Sequence, residues 1–387
     1  MLRSVMGSNE RLERVAEQCG FNHFILSCPL NREEWHPSRL QLRKHDDSSG
    51  QALSPHPSGK VCADVVEAIL GLVFDQFGFA KSVEVSVEMG LTFVKAGKPS
   101  RREFWSALED GGELLAFATA FTGQPISDPR LLHEAVTHPS CVAKPCRSYQ
   151  TLEWAGDAAV CLAARNWLFH RKEKLSVPTL VVFESTLTSN QSLAYIGHLK
   201  GVHRIIDHRM SELPSRFESY KFQLMTRGLW ASDPPKIIPD VVESLIGAVH
   251  VDRGVETGQK AAVYVLRPLL DSVSKLLNNE LKDWAGVIHP KQHLYELAAD
   301  FVNVKVMKED KCNSMFLKDA LNFCGQKDGN GYVAIVGCKS MIIGAVIESS
   351  KTAAVNVACA LVVEMLKAKP SLIPQLRSMM LSENEIE

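Results

Sequence analysis

Two short segments of the sequence each carry a pair of acidic residues at helical spacing. Glu153 and Asp157 are four residues apart, and Asp240 and Glu243 are three apart. Because residues three or four apart project from one face of a helix, each segment presents two carboxylates together. Their neighbours are largely apolar, and charged groups in such surroundings are costly to bury without a cation. The sequence therefore predicts a divalent-metal site built from two helices.

Four carboxylates are hard oxygen ligands of the kind that suits Mg²⁺, with Mn²⁺ as an alternative. Such a site can activate water and stabilise a leaving oxygen in phosphodiester hydrolysis. Lys236, four residues before Asp240, would lie on the same side and contact phosphate or developing charge. Gly156 and Gly247 would let another backbone pack closely beside the acids. The alternative for any one acidic pair is a solvated face of an amphipathic helix, and two pairs together favour the metal site.

The second acidic pair belongs to a pattern that occurs twice at a constant offset of 176 residues. Lys60, Asp64, Glu67, Gly71 and Gly78 recur as Lys236, Asp240, Glu243, Gly247 and Gly254. Upstream, Ser8, Asn9, Leu12 and Gly20 recur as Ser189, Asn190, Leu193 and Gly201, at an offset of 181. A repeat of this kind predicts an internal duplication of a helical unit.

The first copy has no counterpart of the segment that carries Glu153 and Asp157, because the matching residues would fall before Met1. Either the natural chain begins there or the sequence is incomplete. Lys60, Asp64 and Glu67 are then the remnant of a site that lacks two of its ligands. We expect one competent acidic centre, in the second copy.

The elements that position these residues are mainly helical. We predict a partial first copy at 1–90, a basic linker at 91–110, a complete second copy at 111–275 and a small separate domain at 285–370. In the small domain, alternating apolar residues at 332–336 and 341–344 predict two strands between two helices, an α-β-β-α order within a small α+β fold. The fold class is therefore mainly α, with a small α+β domain at the end.

Composition narrows the classes of protein. Hydrophobic residues make up 45% of the chain, which suffices for ordinary cores, and the ten cysteines show no metal-finger spacing. A net charge of −1 weakens the interpretation of the chain as a nucleic-acid-binding protein. It does not exclude that interpretation, because a basic face can lie opposite an acidic centre. No apolar run is long enough for a membrane span, so we expect an intracellular protein, cytoplasmic or nuclear, without a membrane partner.

Three ordered motifs closely resemble those of a ribonuclease III domain. They are Leu132-His133-Glu134-Ala135-Val136-Thr137-His138-Pro139-Ser140, Tyr149-Gln150-Thr151-Leu152-Glu153-Trp154-Ala155-Gly156-Asp157 and Lys236-Ile237-Ile238-Pro239-Asp240-Val241-Val242-Glu243-Ser244-Leu245-Ile246-Gly247-Ala248. Two such domains before a small terminal domain resemble the carboxy-terminal part of a Dicer-type enzyme. Departures are modest: Trp154-Ala155 replaces the usual Phe-Leu, and Thr151 stands where Arg is common.

The resemblance implies a Mg²⁺-dependent endonuclease for double-stranded RNA that acts in small-RNA production and RNA silencing. Glu153, Asp157, Asp240 and Glu243 would bind the metal, Lys236 would assist, and the products would carry 5′-phosphate and 3′-hydroxyl ends. Because the family's domains pair, it further implies pairing within the chain or a homodimer. A helicase-bearing or RNA-binding partner would set product length. The alternative is a catalytically compromised relative that binds RNA or serves as a scaffold.

The terminal segment opens with His289-Pro290-Lys291-Gln292-His293-Leu294-Tyr295-Glu296-Leu297, and its last helix opens with Ser350-Lys351-Thr352-Ala353-Ala354. On these residues the segment resembles a double-stranded-RNA-binding domain. The family uses a lysine cluster at the start of its last helix to hold phosphates. Here Lys351 is present, but Thr352 and Val355 stand where further lysines are expected. A packing or protein-contact domain therefore remains an equal alternative.

His138 and Ser140 form a further pair that could suggest nucleophilic chemistry. No acidic partner accompanies them at an informative spacing, so we favour a structural or capping role.

Overall fold

The computed structural model describes residues 8–25, 58–91, 112–141, 147–171, 175–278, 280–281, 287–299, 301–309, 331–338 and 341–381. The predicted linker at 91–110 lies outside the described residues except for Leu91. The chain divides into two compact units, Met1–Glu103 and Phe104–Glu387. Among the described helices, none combines the length and the apolar character that a membrane span requires.

The described part of the first unit contains two packed helices, α1 (Asn9–Gln18) and α2 (Gly59–Glu88). Their shared core contains Leu12, Val15, Ala16, Cys62, Ala63, Val66 and Leu91. Helix α2 begins after Ser58, whose side chain accepts a hydrogen bond from the Val61 amide, as an N-cap residue does.

The repeated glycines take similar conformations in the local backbone. Gly20 and Gly201 both take left-handed conformations, with φ of 72° and 79°, and each precedes a short 3-10 turn. Gly78 and Gly254 share a second unusual conformation, with φ of 80° and 88° and ψ near 180°. These φ values favour glycine because a Cβ would be strained there. The repeated glycines therefore mark the same bends in both copies.

The second unit begins with a bundle of eight helices within the described residues. They are α3 (Gly112–Thr122), α4 (Pro129–Val136), α5 (Gln150–Phe169), α6 (Val177–Thr188), α7 (Asn190–Leu199), α8 (Leu213–Arg227), α9 (Ile237–Arg253) and α10 (Val255–Leu277). Helix α9 is the centre of the bundle, since every residue from Ile237 to Val249 is buried. It packs on α4, α5, α7 and α10. A helix buried on all sides normally carries apolar residues throughout, so its buried acids require a specific explanation.

A small α+β body follows, formed by α11 (Pro290–Ala298), β1 (Asn303–Lys308), β2 (Tyr332–Cys338), β3 (Met341–Glu348), α12 (Lys351–Ala368) and α13 (Leu372–Leu381). The sheet is antiparallel in the order β1-β2-β3, with Val304 opposite Val336 and Ala334 opposite Val346. The prediction of a mainly α protein with a small α+β domain is confirmed. The predicted α-β-β-α order was incomplete, because β1 is a half-exposed edge strand that carries lysines and lacks a continuous apolar pattern.

The small body is attached to the helical bundle through buried polar contacts. The Asn356 side chain of α12, which is 2% exposed, donates to the Trp230 carbonyl oxygen at 3.2 Å. The His289 amide donates to Thr186 Oγ1 at 2.9 Å, and the His289 ring lies 4.9 Å from the Trp230 ring. Buried polar groups of this kind are costly to leave unpaired. The contacts therefore fix the small body against the loop that precedes α9.

Candidate metal centre

The site forms where α5 and α9 cross at two glycines. A Cβ added to Gly156 would overlap the Glu243 carbonyl oxygen, and one added to Gly247 would overlap the Leu152 carbonyl oxygen. Both positions would also bring the added carbon to 3.0 Å from the partner glycine's amide nitrogen. The backbones of the two helices are thus in direct contact. The prediction that these glycines allow close packing beside the acids is confirmed.

This crossing brings three acidic side chains together. Glu153 from α5 and Asp240 and Glu243 from α9 each offer a carboxylate oxygen, and these oxygens all lie within 4.8 Å of one another. Asp240 is 4% exposed and Glu243 is 7% exposed, whereas Glu153 is half-buried. Among the described residues, this is the one acidic or histidine-containing group whose spacing suits a metal ion.

The electrostatics of the group indicate a need for positive charge. Burial, followed by repulsion from Asp157, Asp240 and Glu153, raises the pKa of Glu243 to about 8. Burial also raises the pKa of Glu153, and the charge of Asp240 adds to that effect. Without a cation, Glu243 therefore holds a proton near neutral pH. A divalent ion would relieve both the desolvation and the mutual repulsion.

Lys236 lies beside the three acids at the start of α9. Its ammonium contacts Asp240 Oδ1 at 2.9 Å and Oδ2 at 2.8 Å, and Glu153 Oε1 at 3.4 Å. Burial alone would lower the pKa of Lys236, but the hydrogen bond and charge of Asp240, helped by Glu153, outweigh it and raise the pKa. When all three carboxylates are ionised, one ammonium leaves an excess of two negative charges, which a divalent cation would balance.

Asp157 borders the group without contributing to it. It lies one turn after Glu153 on α5, and its Oδ1 accepts a weak hydrogen bond from Cys161 Sγ at 3.7 Å. Its charge is among the causes that raise the pKa of Glu243, so it lies within electrostatic reach of that carboxyl. The structure thus gathers Glu153, Asp240, Glu243 and Lys236 directly, with Asp157 adjacent.

Tyr149 is a site residue that the sequence reasoning missed. Its hydroxyl donates to Asp240 Oδ2 at 3.1 Å, and the side chain is buried. The available signal was spacing, because Tyr149 precedes Glu153 by four residues, at the very start of α5. Apart from this spacing, nothing in the sequence indicates that the Tyr149 hydroxyl has a polar partner.

The remaining predicted residues are not members of this group. Lys60, Asp64 and Glu67 are exposed on α2, and Lys351 is exposed at the start of α12. His138 Nδ1 lies 2.8 Å from Ser140 Oγ, and that oxygen accepts from the Arg209 amide at 3.0 Å. These bonds tie two loops together, consistent with the structural role favoured for His138 and Ser140.

Comparison with known proteins identifies the segment that carries the site. Residues 150–254 match the family model of the ribonuclease III domain. Dicer-like protein 1 of Aspergillus clavatus is 29% identical over 276 residues, which cover 63% of this chain and 18% of that protein. Protein Dicer of Schizosaccharomyces pombe is 25% identical over 320 residues, which cover 76% of this chain and 22% of that protein.

Two solved structures also match at low similarity. The nuclease domain of ribonuclease III from Campylobacter jejuni is 23% identical, with coverage of 40% of this chain and 96% of that one and a TM-score of 0.33. Dicer from Pichia stipitis is 15% identical, with coverage of 62% and 96% and a TM-score of 0.28.

The chain spans roughly a fifth of the length of the curated relatives that it matches. The matched family segment contains both acidic pairs, Lys236 and both crossing glycines. The segment with the acidic group therefore matches the ribonuclease III domain, and 63–76% of the chain is similar to Dicer and Dicer-like proteins.

Proposed function

We propose that this protein is a Dicer-like endoribonuclease that cleaves double-stranded RNA by Mg²⁺-dependent phosphodiester hydrolysis. The observation that carries the proposal is the group of three carboxylates and one lysine at the α5–α9 crossing, inside the segment that matches the ribonuclease III domain. Two of the three carboxylates are buried. Buried acids without a cation lower the stability of the fold, so their presence indicates a functional role rather than a structural one.

The side chains have different proposed roles, which follow from their burial and exposure. Glu153, Asp240 and Glu243 would hold the metal ion, and Asp157 would join them. When bound, Mg²⁺ or Mn²⁺ supplies Lewis-acid polarisation of a phosphate oxygen and a more acidic water. The Lys236 side chain is 70% exposed, so its ammonium can turn from Asp240 towards a phosphate oxygen of the RNA.

The proposed domains include two ribonuclease III units in tandem. We propose that 1–90 is a partial ribonuclease III domain, that 91–110 is a linker, that 111–275 is a complete ribonuclease III domain and that 285–370 is a divergent double-stranded-RNA-binding domain. Lys351 would contact phosphate there. Because Asp64 and Glu67 lie exposed on α2, whereas Asp240 and Glu243 are buried, cleavage is assigned to the second domain alone.

The surface of α5 supports pairing with a second ribonuclease III unit. Trp154 follows Glu153 directly, and its side chain is 68% exposed. Tryptophan is enriched at protein–protein interfaces relative to the rest of the surface. We propose that ribonuclease III domains pair, either within this chain or between two chains. A helicase-bearing or RNA-binding partner would set product length, within a role in RNA silencing.

The test uses substitutions at equivalent positions of the two copies. Asp240→Asn, and likewise Asp157→Asn, should abolish cleavage of a long RNA duplex in Mg²⁺. Asp64→Asn changes the equivalent of Asp240 in the first copy, on an exposed part of α2, and should leave the rate within about twofold of the wild type. Equal losses at Asp240 and Asp64 would contradict a single centre. A folded wild-type protein that does not cut would favour a scaffolding relative.

A further inference from the structure

Tyr149 is held in place by a turn that lies outside the acidic group. Its amide donates to the Thr137 carbonyl oxygen at 2.9 Å, and its ring lies 5.8 Å from the His138 ring. The turn itself is fixed to a neighbouring loop by two backbone hydrogen bonds. The His138 amide donates to the Asp207 carbonyl oxygen at 2.8 Å, and the Asp207 amide donates to the Val136 carbonyl oxygen at 2.9 Å. The position of the tyrosine is therefore set by the backbone rather than by the acids.

The His138 ring against Tyr149 is held in one neutral form. The Ser140 amide donates to His138 Nδ1 at 2.9 Å. Because a backbone N–H can only donate, Nδ1 must be the unprotonated nitrogen, and a neutral ring carries its proton on Nε2. Burial, followed by the charge of His208, lowers the pKa of His138, which favours this neutral form. The His138 ring beside Tyr149 thus adds no positive charge to the acidic group.

The two oxygens of Asp240 have different partners. Oδ2 accepts from both the Tyr149 hydroxyl and Lys236, whereas Oδ1 accepts from Lys236 alone. A carboxylate oxygen has two lone-pair directions, so both directions of Oδ2 are used and one direction of Oδ1 is not. A carboxylate whose one oxygen is fixed cannot rotate freely.

We propose that Tyr149 is a positioning residue that fixes the rotation of Asp240 and reserves its Oδ1 atom for the divalent cation. The inference deepens the proposed function and rests on it for the presence of the metal. It assigns a role in metal affinity to a residue that supplies no ligand atom. Outer partners of this kind orient a ligand before the ion arrives.

The phenol is suited to this role near neutral pH. An ordinary tyrosine hydroxyl releases its proton only at about pH 10, and the bond to Asp240 Oδ2 at 3.1 Å uses the protonated form. The hydroxyl therefore keeps its proton and remains a donor to Asp240. A carboxylate or histidine at this position would change charge with pH and disturb the group.

The experiment compares Tyr149→Phe with Tyr220→Phe in the full chain. Each change removes one buried hydroxyl without adding volume. The Tyr220 side chain is 1% exposed, and its hydroxyl has no hydrogen-bond partner within the described part of the chain. Tyr220→Phe is therefore a matched control for loss of a phenolic oxygen. Thermal unfolding of both variants checks that the fold is retained.

Metal binding is measured apart from activity, by titrating Mn²⁺ and following the free ion by electron paramagnetic resonance. Loss of an outer partner typically weakens metal binding by about 10- to 100-fold, so we expect at least about a tenfold weaker dissociation constant for Tyr149→Phe. Tyr220→Phe should stay within about twofold of the wild type. The Mg²⁺ concentration for half-maximal cleavage should rise in parallel, with most of the rate recovered at saturating Mg²⁺.

The outcomes separate this inference from the proposed function. A Tyr149→Phe protein that binds Mn²⁺ as tightly as the wild type overturns the positioning role, even if both proteins cut RNA. A wild type that binds Mn²⁺ without cutting RNA contradicts the proposed function, and the binding comparison still decides the role of Tyr149. A wild type that binds no Mn²⁺ overturns both.

Discussion

Replacement of Glu243 by glutamine should stabilise the metal-free protein near neutral pH. Glu243 is 7% exposed and lies among Glu153, Asp157 and Asp240. Burial and these neighbours raise its pKa from 4.5 to about 8. In the unfolded chain the same carboxyl ionises at its ordinary pKa. The native state therefore binds a proton that the unfolded state has released, and stability falls as pH rises through this window.

The size of the effect follows from the pKa difference. Each pKa unit corresponds to about 1.36 kcal/mol. At about pH 7.5 the native carboxyl is still mostly protonated and the unfolded one is ionised, so this group lowers the free energy of unfolding by at most about 4 kcal/mol relative to acid pH. A glutamine side chain has nearly the same shape and avoids this cost. The stabilisation of Glu243→Gln should shrink as the pH falls towards 4.5 and disappear below that value, where the carboxyl is protonated in both states of the wild type.

Thermal unfolding in EDTA at a series of pH values measures the difference. For a domain of this size, about 1 kcal/mol shifts the melting temperature by roughly 2–4 °C, so Glu243→Gln should melt several degrees higher near neutral pH. Addition of Mg²⁺ should stabilise the wild type and leave the variant nearly unchanged, because a bound ion stabilises only a protein that binds it. A variant that melts below the wild type in EDTA near neutral pH would refute the electrostatic reasoning.

Two further predictions concern packing. Gly156→Ala should separate α5 from α9, because its Cβ would meet the Glu243 carbonyl oxygen. We expect a loss of about 1–3 kcal/mol in the free energy of unfolding and weaker Mn²⁺ binding. Gly71→Ala is the control, since nothing lies within 4 Å of an added Cβ there. A Gly156→Ala protein with unchanged stability and Mn²⁺ binding would contradict the direct backbone contact. Asn356→Ala should cost about 1–3 kcal/mol by leaving a buried carbonyl unpaired, and hydrogen exchange should rise at both α12 and the loop around Trp230. Faster exchange at α12 alone would contradict the docking of the small body.

The sequence predicted the features that depend on periodic spacing. The acids at 153, 240 and 243 meet as their three- and four-residue separations indicated, and Gly156 and Gly247 bring their helices together. The repeated glycines Gly20 and Gly201 take similar left-handed conformations. Such features follow from local geometry, which a linear pattern records.

The features that the sequence did not reveal depend on single long-range contacts. The hydrogen bond from Tyr149 to Asp240 joins residues 91 positions apart, and that from Asn356 to Trp230 joins residues 126 apart. No periodicity encodes either partner. Strand β1 was missed for a different reason, because an edge strand that faces solvent needs no continuous apolar pattern.

Cleavage of a long RNA duplex, labelled at the 5′ end of each strand, tests the proposed nuclease most directly. The purified chain is incubated with the duplex in Mg²⁺ and, in parallel, in EDTA. The proposed function predicts cutting in Mg²⁺, products with 5′-phosphate and 3′-hydroxyl ends, and no cutting in EDTA. A folded protein that leaves the duplex intact in Mg²⁺, or that cuts it equally well in EDTA, would contradict a metal-dependent nuclease at the α5–α9 crossing.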